Sequence, residues 1–214
     1  LVLDWGGVLT ASLDGAMAQW AVEDGVDFAH FVDVMQHWVG AAQDGPLVAQ
    51  VEQAGDDGPA GNSPVHRLER GEITTGDFER LLVEELAARG SVIEPEGLLN
   101  RLLGGLSWLD PRMLEAIRRA RAAGVRTALL SNSWGEHYPE QLWDGLFDAV
   151  VISGRVGMRK PDRAIFDHTV SELGLAAVQC VMVDDIPRNV QAAVAAGMVG
   201  VLHRSAEETL SLIH

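Results

Sequence analysis

Residues 1–7 read LVLDWGG, a short apolar run that ends at an acidic residue and a pair of glycines. Four more short apolar runs follow along the chain, namely VRTALL (125–130), AVVI (149–152), VMV (181–183) and VGVL (199–202). Runs rich in Val, Leu and Ile without polar alternation are typical of strands that are buried on both faces of a parallel sheet. The sequence therefore predicts a parallel sheet built from these runs.

Helical segments separate the later runs, and each one has recognisable start and stop residues. A proline precedes or opens each segment, and a glycine follows it, which is the usual asymmetry of helix ends. The predicted helices span 112–123, 162–173 and 188–196. Strand and helix alternate from residue 110 onward, and this alternation predicts a doubly wound, Rossmann-like α/β sheet.

Residues 14–105 follow a different pattern, because they contain helical segments without an intervening strand. The predicted helices span 16–23, 28–39, 75–88 and 96–103. We expect the stretch from Gly40 to Pro64 to form a flexible or locally disordered loop, since it is rich in Gly, Asp and Pro. The chain thus divides into an α/β core domain (1–13 plus 106–214) and an all-helical insertion, the cap (14–105).

The charge and the cysteine content limit the classes of partner and compartment. Acidic residues number 31 against 16 basic ones, for a formal charge of −15. A surface of this sign repels nucleic-acid backbones and anionic lipids, so we expect neither nucleic acid nor a membrane as partner. The single cysteine, Cys180, lies in an apolar run and is expected to be buried. We expect a soluble, cytoplasmic protein, either a monomer or a homodimer.

Polar residues with chemical potential follow four of the predicted strands. They are Asp4 with Gly6 and Gly7, Ser131 with Asn132, Lys160, and Asp184 with Asp185. Because ligands of a parallel sheet bind at the carboxyl ends of its strands, we expect these residues to converge on one edge. That convergence is the strongest chemical signal in the sequence.

These residue types together suit a metal-assisted reaction of a phosphate group. Carboxylates at two strand ends offer the oxygen ligands that a hard divalent cation prefers. Ser131, Lys160 and the backbone N–H groups near Gly6, Gly7 and Asn132 can cradle an anion such as phosphate. A carboxylate beside both sites can attack phosphorus and form an aspartyl-phosphate.

The basic residues are divided unevenly between Arg and Lys. Fifteen of the sixteen are Arg, and Lys160 is the single Lys. A compact ammonium at this one position suits a site that needs a point charge more than a planar fork. Arg155, Arg159 and Arg188 fall near the same edge of the predicted sheet. Contact with the substrate is one interpretation of them, and we favour the other, that they are surface residues. Trp134 is expected to pack beneath the cap.

Four segments in order, DWGGVLT (4–10), LSNS (130–133), GMRKPD (157–162) and VDD (183–185), resemble the motifs of the haloacid dehalogenase-like hydrolase superfamily. The closest resemblance is to the branch with a helical cap inserted after the first motif. That branch includes sugar-phosphate phosphatases and the phosphatase domain of soluble epoxide hydrolase. RGEIT (70–74) also resembles a segment of such caps.

The resemblance implies a catalytic role for four residues. Asp4 matches the nucleophile, and Lys160 matches the basic residue that stabilises the nucleophile and the transferring group. Ser131 and the Asn132 amide match the groups that bind the phosphoryl oxygens. The implied activity is phosphatase action on a small phosphorylated metabolite.

The resemblance also implies a Mg²⁺ site. Asp4 and Asp185 match its direct carboxylate ligands, and the main-chain carbonyl of Gly6 matches a further ligand. Asp184 matches the carboxylate that usually holds a metal-bound water.

Gly6 departs from the family pattern, in which a second Asp two residues after the nucleophile acts as general acid and base. Such catalysis is typically worth about 10²–10⁴ in rate, so its loss slows turnover without necessarily abolishing it. Two alternatives therefore remain beside the phosphatase. One is a catalytically degenerate protein that binds its ligand without turnover. The other is a haloacid dehalogenase, whose Asp attacks carbon and needs no metal, although the paired acids Asp184 and Asp185 then have no obvious purpose.

Overall fold

The computed structural model describes residues 1–39, 47, 63–104, 108–135 and 138–213. Its five strands are β1 (Val2–Leu3), β2 (Ala128–Ser131), β3 (Ala149–Ile152), β4 (Val181–Asp184) and β5 (Val199–Leu202). They form one sheet in the order β3-β2-β1-β4-β5, and every neighbouring pair is parallel. The predicted parallel α/β sheet is confirmed. Because β1 lies between β2 and β4, the residues that follow these three strands meet at the centre of one edge.

Ten α-helices accompany the sheet within the described residues. In chain order they are α1 (Leu13–Glu23), α2 (Phe28–Val39), α3 (Pro64–Glu69), α4 (Thr75–Ala88), α5 (Leu98–Leu103), α6 (Pro111–Ala122), α7 (Ser153–Val156), α8 (Arg163–Leu173), α9 (Pro187–Ala195) and α10 (Ala206–Leu212). Among these residues, no helix is both long enough and apolar enough to cross a membrane.

The two faces of the sheet are covered by two separate apolar clusters. Val2 packs in the cluster that contains α8 and α9 residues, whereas the adjacent Leu3 packs in the cluster that contains α6 and α10 residues. Successive side chains of a strand point to opposite faces, and burial of both explains why the strands lack polar alternation. Cys180 is fully buried in the first cluster, as expected.

The five helices from α1 to α5 pack around an apolar cluster of their own. Trp20 and Phe31 lie in its centre, and Trp134 reaches it from the core domain, as the sequence predicts. Close to the two predicted ends of the cap, Thr10 forms an antiparallel bridge with Leu109. Leu13, which the predicted limits assign to the core domain, packs against the cluster of the cap helices. The exact limits of core and cap therefore stay a prediction.

Several predicted boundaries differ from the structure for local reasons. Helix α1 begins three residues earlier than predicted, because the Ser12 hydroxyl caps it by accepting the Gly15 N–H at 3.3 Å. Strand β2 begins at Ala128 because Val125 is exposed. Helix α5 begins at Leu98 rather than Glu96, since Gly97 before it is left-handed (φ +69°).

The predicted loop from Gly40 to Pro64 lies almost wholly outside the described residues. Its end was misplaced, because Pro64 is the first residue of α3, a helix that the sequence reading missed. Proline suits the first position of a helix because it has no backbone N–H, and an N–H there would find no acceptor within the helix. Helix α3 brings Glu69, a residue with no obvious sequence signal, toward the core domain.

Candidate active site

A cavity of about 440 Å³ opens at the carboxyl edge of the sheet, between the core domain and the cap. Its base contains Asp4, Ser131, Asn132, Lys160 and Asp185. Gly6 also lines the cavity, while Asp184 lies fully buried behind Lys160. The structure therefore brings together the strand-end residues that the sequence singled out.

Lys160 is the electrostatic centre of this site. Its ammonium nitrogen lies 2.8 Å from Asp4 Oδ1 and 2.7 Å from Asp184 Oδ2, and its side chain is 1% exposed. Burial alone would lower the pKa of Lys160, but the charges of Asp184 and Asp4 outweigh it and raise the pKa. Lys160 is therefore a permanent cation that fixes the orientation of the Asp4 carboxylate.

Asp184 has both carboxylate oxygens occupied. Oδ2 accepts from the Lys160 ammonium, and Oδ1 accepts from the Ile186 N–H at 2.9 Å. The Asn189 side-chain amide donates to both oxygens, at 3.1 and 3.3 Å. These contacts make Asp184 a positioning group behind Lys160, and the role of holding a metal-bound water stays a prediction.

Asp4 and Asp185 carry more negative charge than their surroundings compensate. Burial raises the pKa of Asp4 to about 7 against the opposing effect of Lys160. Burial and the charges of Asp4 and Asp184 raise the pKa of Asp185 to about 8. Both carboxyls are thus destabilised as anions in the bare protein.

The acidic cluster has the donor set of a hard-cation site. Carboxylate oxygens of Asp4, Asp184 and Asp185 all lie within 4.8 Å of one another, with Lys160 as the cation in contact with two of them. Three carboxylates against one ammonium leave an excess of negative charge, which a divalent cation with oxygen ligands would neutralise. The residues present therefore fit a magnesium ion.

Asn132 joins the second and third motifs. Its side-chain Oδ1 accepts the Lys160 backbone N–H at 2.8 Å, and its Nδ2 donates to the Lys160 carbonyl at 3.0 Å. These two hydrogen bonds hold the Lys160 backbone beside β2 and so aim the ammonium at Asp4. This positioning contact was not anticipated, since the sequence predicts only a phosphate-binding role for Asn132.

The two glycines after Asp4 differ in what they provide. A Cβ atom at Gly7 (φ +72°) would lie 2.1 Å from Asp185 Oδ2, so glycine is required for Asp185 to approach the first motif. The Gly7 N–H donates to the Ala11 carbonyl at 3.2 Å, and this removes it from the predicted anion cradle. A Cβ at Gly6, by contrast, would meet no atom within 4 Å.

Tyr138 is a site residue that the sequence reading missed. Its hydroxyl lies 2.9 Å from Ser131 Oγ, and its ring packs edge-on against Trp5 with 5.7 Å between the ring centroids. Burial raises the pKa of Tyr138, so the phenol is neutral and retains its proton. A lone tyrosine in a connecting segment offers no spacing pattern that would have identified it.

The interpretation of Arg159 as a surface residue is wrong. Its guanidinium is 1% exposed and donates to Glu69 of α3 at 2.6 Å. The Trp134 indole N–H donates to the same carboxylate at 3.2 Å. Helix α3 of the cap is thereby joined to the segment beside Lys160 and to the segment after Ser133. Arg155 is exposed and pairs with Glu140, as expected of a surface residue.

Comparison with known proteins shows which proteins this chain resembles. A sesquiterpene phosphatase of Aspergillus oryzae is 32% identical over 139 residues, which cover 63% of this chain and 69% of that protein. Acyl-CoA dehydrogenase family member 10 of Mus musculus is 30% identical over 208 residues, which cover 92% of this chain but 17% of that protein. The chain thus spans only a small part of the murine protein.

Solved structures with the same fold extend over the whole chain. A haloacid dehalogenase family enzyme of Bacteroides thetaiotaomicron, in complex with magnesium and inorganic phosphate, has a TM-score of 0.64 at 16% identity. That alignment covers 100% of this chain and 98% of the enzyme. The profile of the haloacid dehalogenase-like hydrolases matches residues 1–197. The chain therefore belongs to the haloacid dehalogenase-like hydrolase family.

Proposed function

We propose that this protein is a magnesium-dependent phosphatase of a small phosphorylated metabolite, with Asp4 as the nucleophile. The observation that carries the proposal is the meeting of Asp4, Lys160 and Ser131 at the base of one cavity. The likeness to a fungal sesquiterpene phosphatase and to an enzyme that holds magnesium and phosphate supports it.

The proposed reaction has two displacements at phosphorus. A carboxylate oxygen of Asp4 attacks the phosphoryl group, and the bond to the ester oxygen breaks with its electron pair on the leaving alkoxide, which takes a proton from water. Water then attacks the phosphorus of the aspartyl-phosphate, which releases inorganic phosphate and restores Asp4. Lys160 offsets the negative charge of the transferring group, while the Ser131 hydroxyl and the Asn132 backbone N–H bind its oxygens.

Asp4, Asp185 and the Gly6 carbonyl would hold the magnesium ion, and Asp184 would act through a bound water. When bound, the ion would reduce the repulsion between the Asp4 carboxylate and the anionic substrate. The excess of carboxylates over cations in the site supports this assignment.

Phosphate release from a panel of phosphomonoesters tests the proposed function. We expect release with Mg²⁺ and its loss with a chelator, restored by excess Mg²⁺. Absence of Mg²⁺-dependent release from every ester and from acetyl phosphate would overturn the proposal. In that case the absence of an acid/base carboxylate at Gly6 would favour the alternative, a protein that binds a phosphorylated ligand without turnover.

Gly6→Asp is expected to increase the rate on esters with poor leaving groups. A Cβ atom at this position meets no other atom within 4 Å, and the new carboxyl group in its protonated form can donate a proton to the departing oxygen. We expect a gain of about tenfold or more on an alkyl phosphate and a smaller one on an aryl phosphate. Gly6→Asn is the matched control, because it has the same shape without a titratable proton. Equal rates for the two variants would contradict the prediction.

The metal-free protein is expected to lose stability as the pH rises from 5.5 to 8. The pKa values of Asp4 and Asp185, about 7 and about 8 in the folded state, exceed the ordinary 3.8. Between pH 5.5 and pH 8 the folded state therefore binds more protons than the unfolded state, so the free energy of unfolding falls as the pH rises. Each extra proton contributes about 1.4 kcal/mol per pH unit.

Urea unfolding at both pH values, in the presence of a chelator, measures this loss. Asp185→Asn should reduce the loss, and Mg²⁺ should offset it in the parent at pH 8, because the ion takes the place of the protons. An identical pH dependence in the parent and the variant would show that Asp185 does not titrate in this way.

Tyr138→Phe is expected to weaken phosphate binding. With the neutral Tyr138 hydroxyl as donor to Ser131 Oγ, the Ser131 hydrogen can point to a phosphoryl oxygen. Without the Tyr138 donor, the Ser131 hydrogen is no longer held toward the phosphate. Loss of the hydrogen bond from Ser131 to phosphate, worth about 1 kcal/mol, corresponds to roughly a fivefold rise in the inhibition constant of inorganic phosphate. The effect should vanish in a Ser131→Ala background, and its persistence there would contradict the proposed coupling.

A further inference from the structure

The walls of the cavity above the phosphate site differ from its base. The apolar wall residues come from both domains and are Trp5, Leu13, Leu103, Trp134, Tyr138 and Ile186. Two of the rings are braced by other aromatics: Trp5 packs against Trp143 with centroids 5.8 Å apart, and Trp134 packs against Phe78 of the cap at the same separation. These walls are therefore built from apolar side chains that are supported from behind.

Charged groups are confined to the base. Within the described residues, the charged side chains that line the cavity are Asp4, Lys160 and Asp185. All three are committed to the phosphate and cation chemistry of the proposed phosphatase. A second phosphate or a carboxylate on the substrate would find no cation among the wall residues that the structure describes, and burying an unpaired charge is strongly unfavourable.

Polar groups that could serve a polyhydroxylated substrate are few. Asn100 and Gln141 are exposed residues in the described wall, and Asn189 donates its amide to Asp184. Each sugar hydroxyl that enters the cavity exchanges its hydrogen bonds with water for a partner in the wall, or loses them. The walls thus favour a substrate with few hydroxyl groups.

We propose that the natural substrate is the monophosphate ester of an uncharged, mainly apolar alcohol. This inference rests on the proposed phosphatase function and specifies its leaving group. Such a group can be an aryl alcohol, which can stack on the rings, or an isoprenoid alcohol, which fills the same space with branched hydrocarbon. The apolar surface shared by both classes would be removed from water against Leu13, Leu103 and the aromatic rings.

Two matched pairs of substrates test the proposal with the full chain and Mg²⁺. Geranyl monophosphate is compared with glucose 6-phosphate, since both are esters of primary alcohols. 1-Naphthyl phosphate is compared with phosphotyrosine, since both are aryl esters. We expect kcat/KM to be at least about tenfold higher for the apolar member of one or both pairs. The pair with the larger ratio identifies the aryl or the isoprenoid class.

Acetyl phosphate distinguishes failure of this inference from failure of the proposed function, because its leaving group is too small to depend on the walls. Hydrolysis of acetyl phosphate together with equal or better turnover of glucose 6-phosphate and phosphotyrosine would overturn the substrate class alone. No hydrolysis of any of the five compounds would overturn the phosphatase function, and the inference with it.

Variants of the wall give a second readout. Leu13→Gln and Leu103→Gln should each reduce the preference for the apolar ester by roughly fourfold or more, as expected when apolar contact is lost. Val22→Gln is the control for Leu13→Gln, since Val22 lies on the same helix α1 and is 83% exposed. Equal preferences in Leu13→Gln and Val22→Gln would contradict the assignment of Leu13 to the substrate wall.

Discussion

Asp4→Asn is expected to reduce Mg²⁺-dependent phosphate release by at least about 10³-fold, the scale on which removal of a catalytic nucleophile acts. The asparagine amide keeps the shape of the side chain but has no carboxylate oxygen to attack phosphorus. It also removes one negative charge beside Lys160, whose ammonium lies 2.8 Å from Asp4 Oδ1. Initial rates on acetyl phosphate and on an aryl phosphate measure the loss.

Asp167→Asn is the matched control for this variant. The substitution is again Asp to Asn, but Asp167 is exposed, forms an ion pair with Arg163 and lies outside the cavity. Its rate should stay within about twofold of the parent, since exposed ion pairs contribute little. Retention of more than a few per cent of the activity by Asp4→Asn would exclude Asp4 as the nucleophile.

Glu69→Gln is expected to destabilise the protein by about 3–5 kcal/mol, the usual effect of removing one partner of a buried ion pair. Glu69 is fully buried and accepts from the Arg159 guanidinium at 2.6 Å and from the Trp134 indole at 3.2 Å. The substitution removes the negative charge that the buried Arg159 guanidinium contacts at 2.6 Å. It also weakens the connection between helix α3 and the segment that carries Lys160.

Two further variants make this prediction selective. Glu72→Gln removes the partner of Arg70 in a half-exposed pair, and its effect on the free energy of unfolding should be about 0–1 kcal/mol. Replacing both Glu69 and Arg159 with Met removes both buried charges, so it should restore much of the stability that the single change removes. Urea unfolding measures all three proteins. Equal stability of Glu69→Gln and Glu72→Gln would show that the buried pair of Glu69 and Arg159 does not stabilise the protein more than a half-exposed pair does.

The strands of the parallel sheet and the residues at its edge could be predicted because their signals are local. The order of the strands depends on how distant segments pack, and it comes from the structure alone. The apolar run 1–3 and the later apolar runs consist of residues that are usually buried, so the composition of each run predicts its burial. Pro111 and Pro187 predict helix starts within one residue of the observed positions. Convergence of Asp4 and Asp184 then follows from the parallel topology, since both stand at carboxyl ends of neighbouring strands.

The contacts that organise the site could not be predicted in the same way. Arg159 and Glu69 are 90 positions apart, and the sequence around each residue does not indicate that the other is its partner. Burial of an arginine depends entirely on such a partner, so Arg159 reads as a surface residue from the sequence alone. Tyr138 likewise gains its importance only because folding brings its hydroxyl to Ser131.

The role of Gly7 shows a further limit. A glycine pair after a strand predicts a turn with free backbone N–H groups, but the Gly7 N–H is used by Ala11. Its actual contribution is space, because a side chain there would overlap Asp185. Close approach of two distant segments is a tertiary property that the glycine pattern does not specify.

In the proposed reaction, Asp4 carries the phosphoryl group during turnover. The most direct measurement is acid quenching of the protein during reaction with a ³²P-labelled phosphomonoester and Mg²⁺, followed by detection of protein-bound label. Because Gly6 provides no carboxylate to activate water, the second displacement should be slow and the labelled protein should accumulate. We predict label that is stable in acid, released by hydroxylamine as expected of an acyl phosphate, and absent from Asp4→Asn. Turnover without such label, or label that persists in Asp4→Asn, would contradict the account.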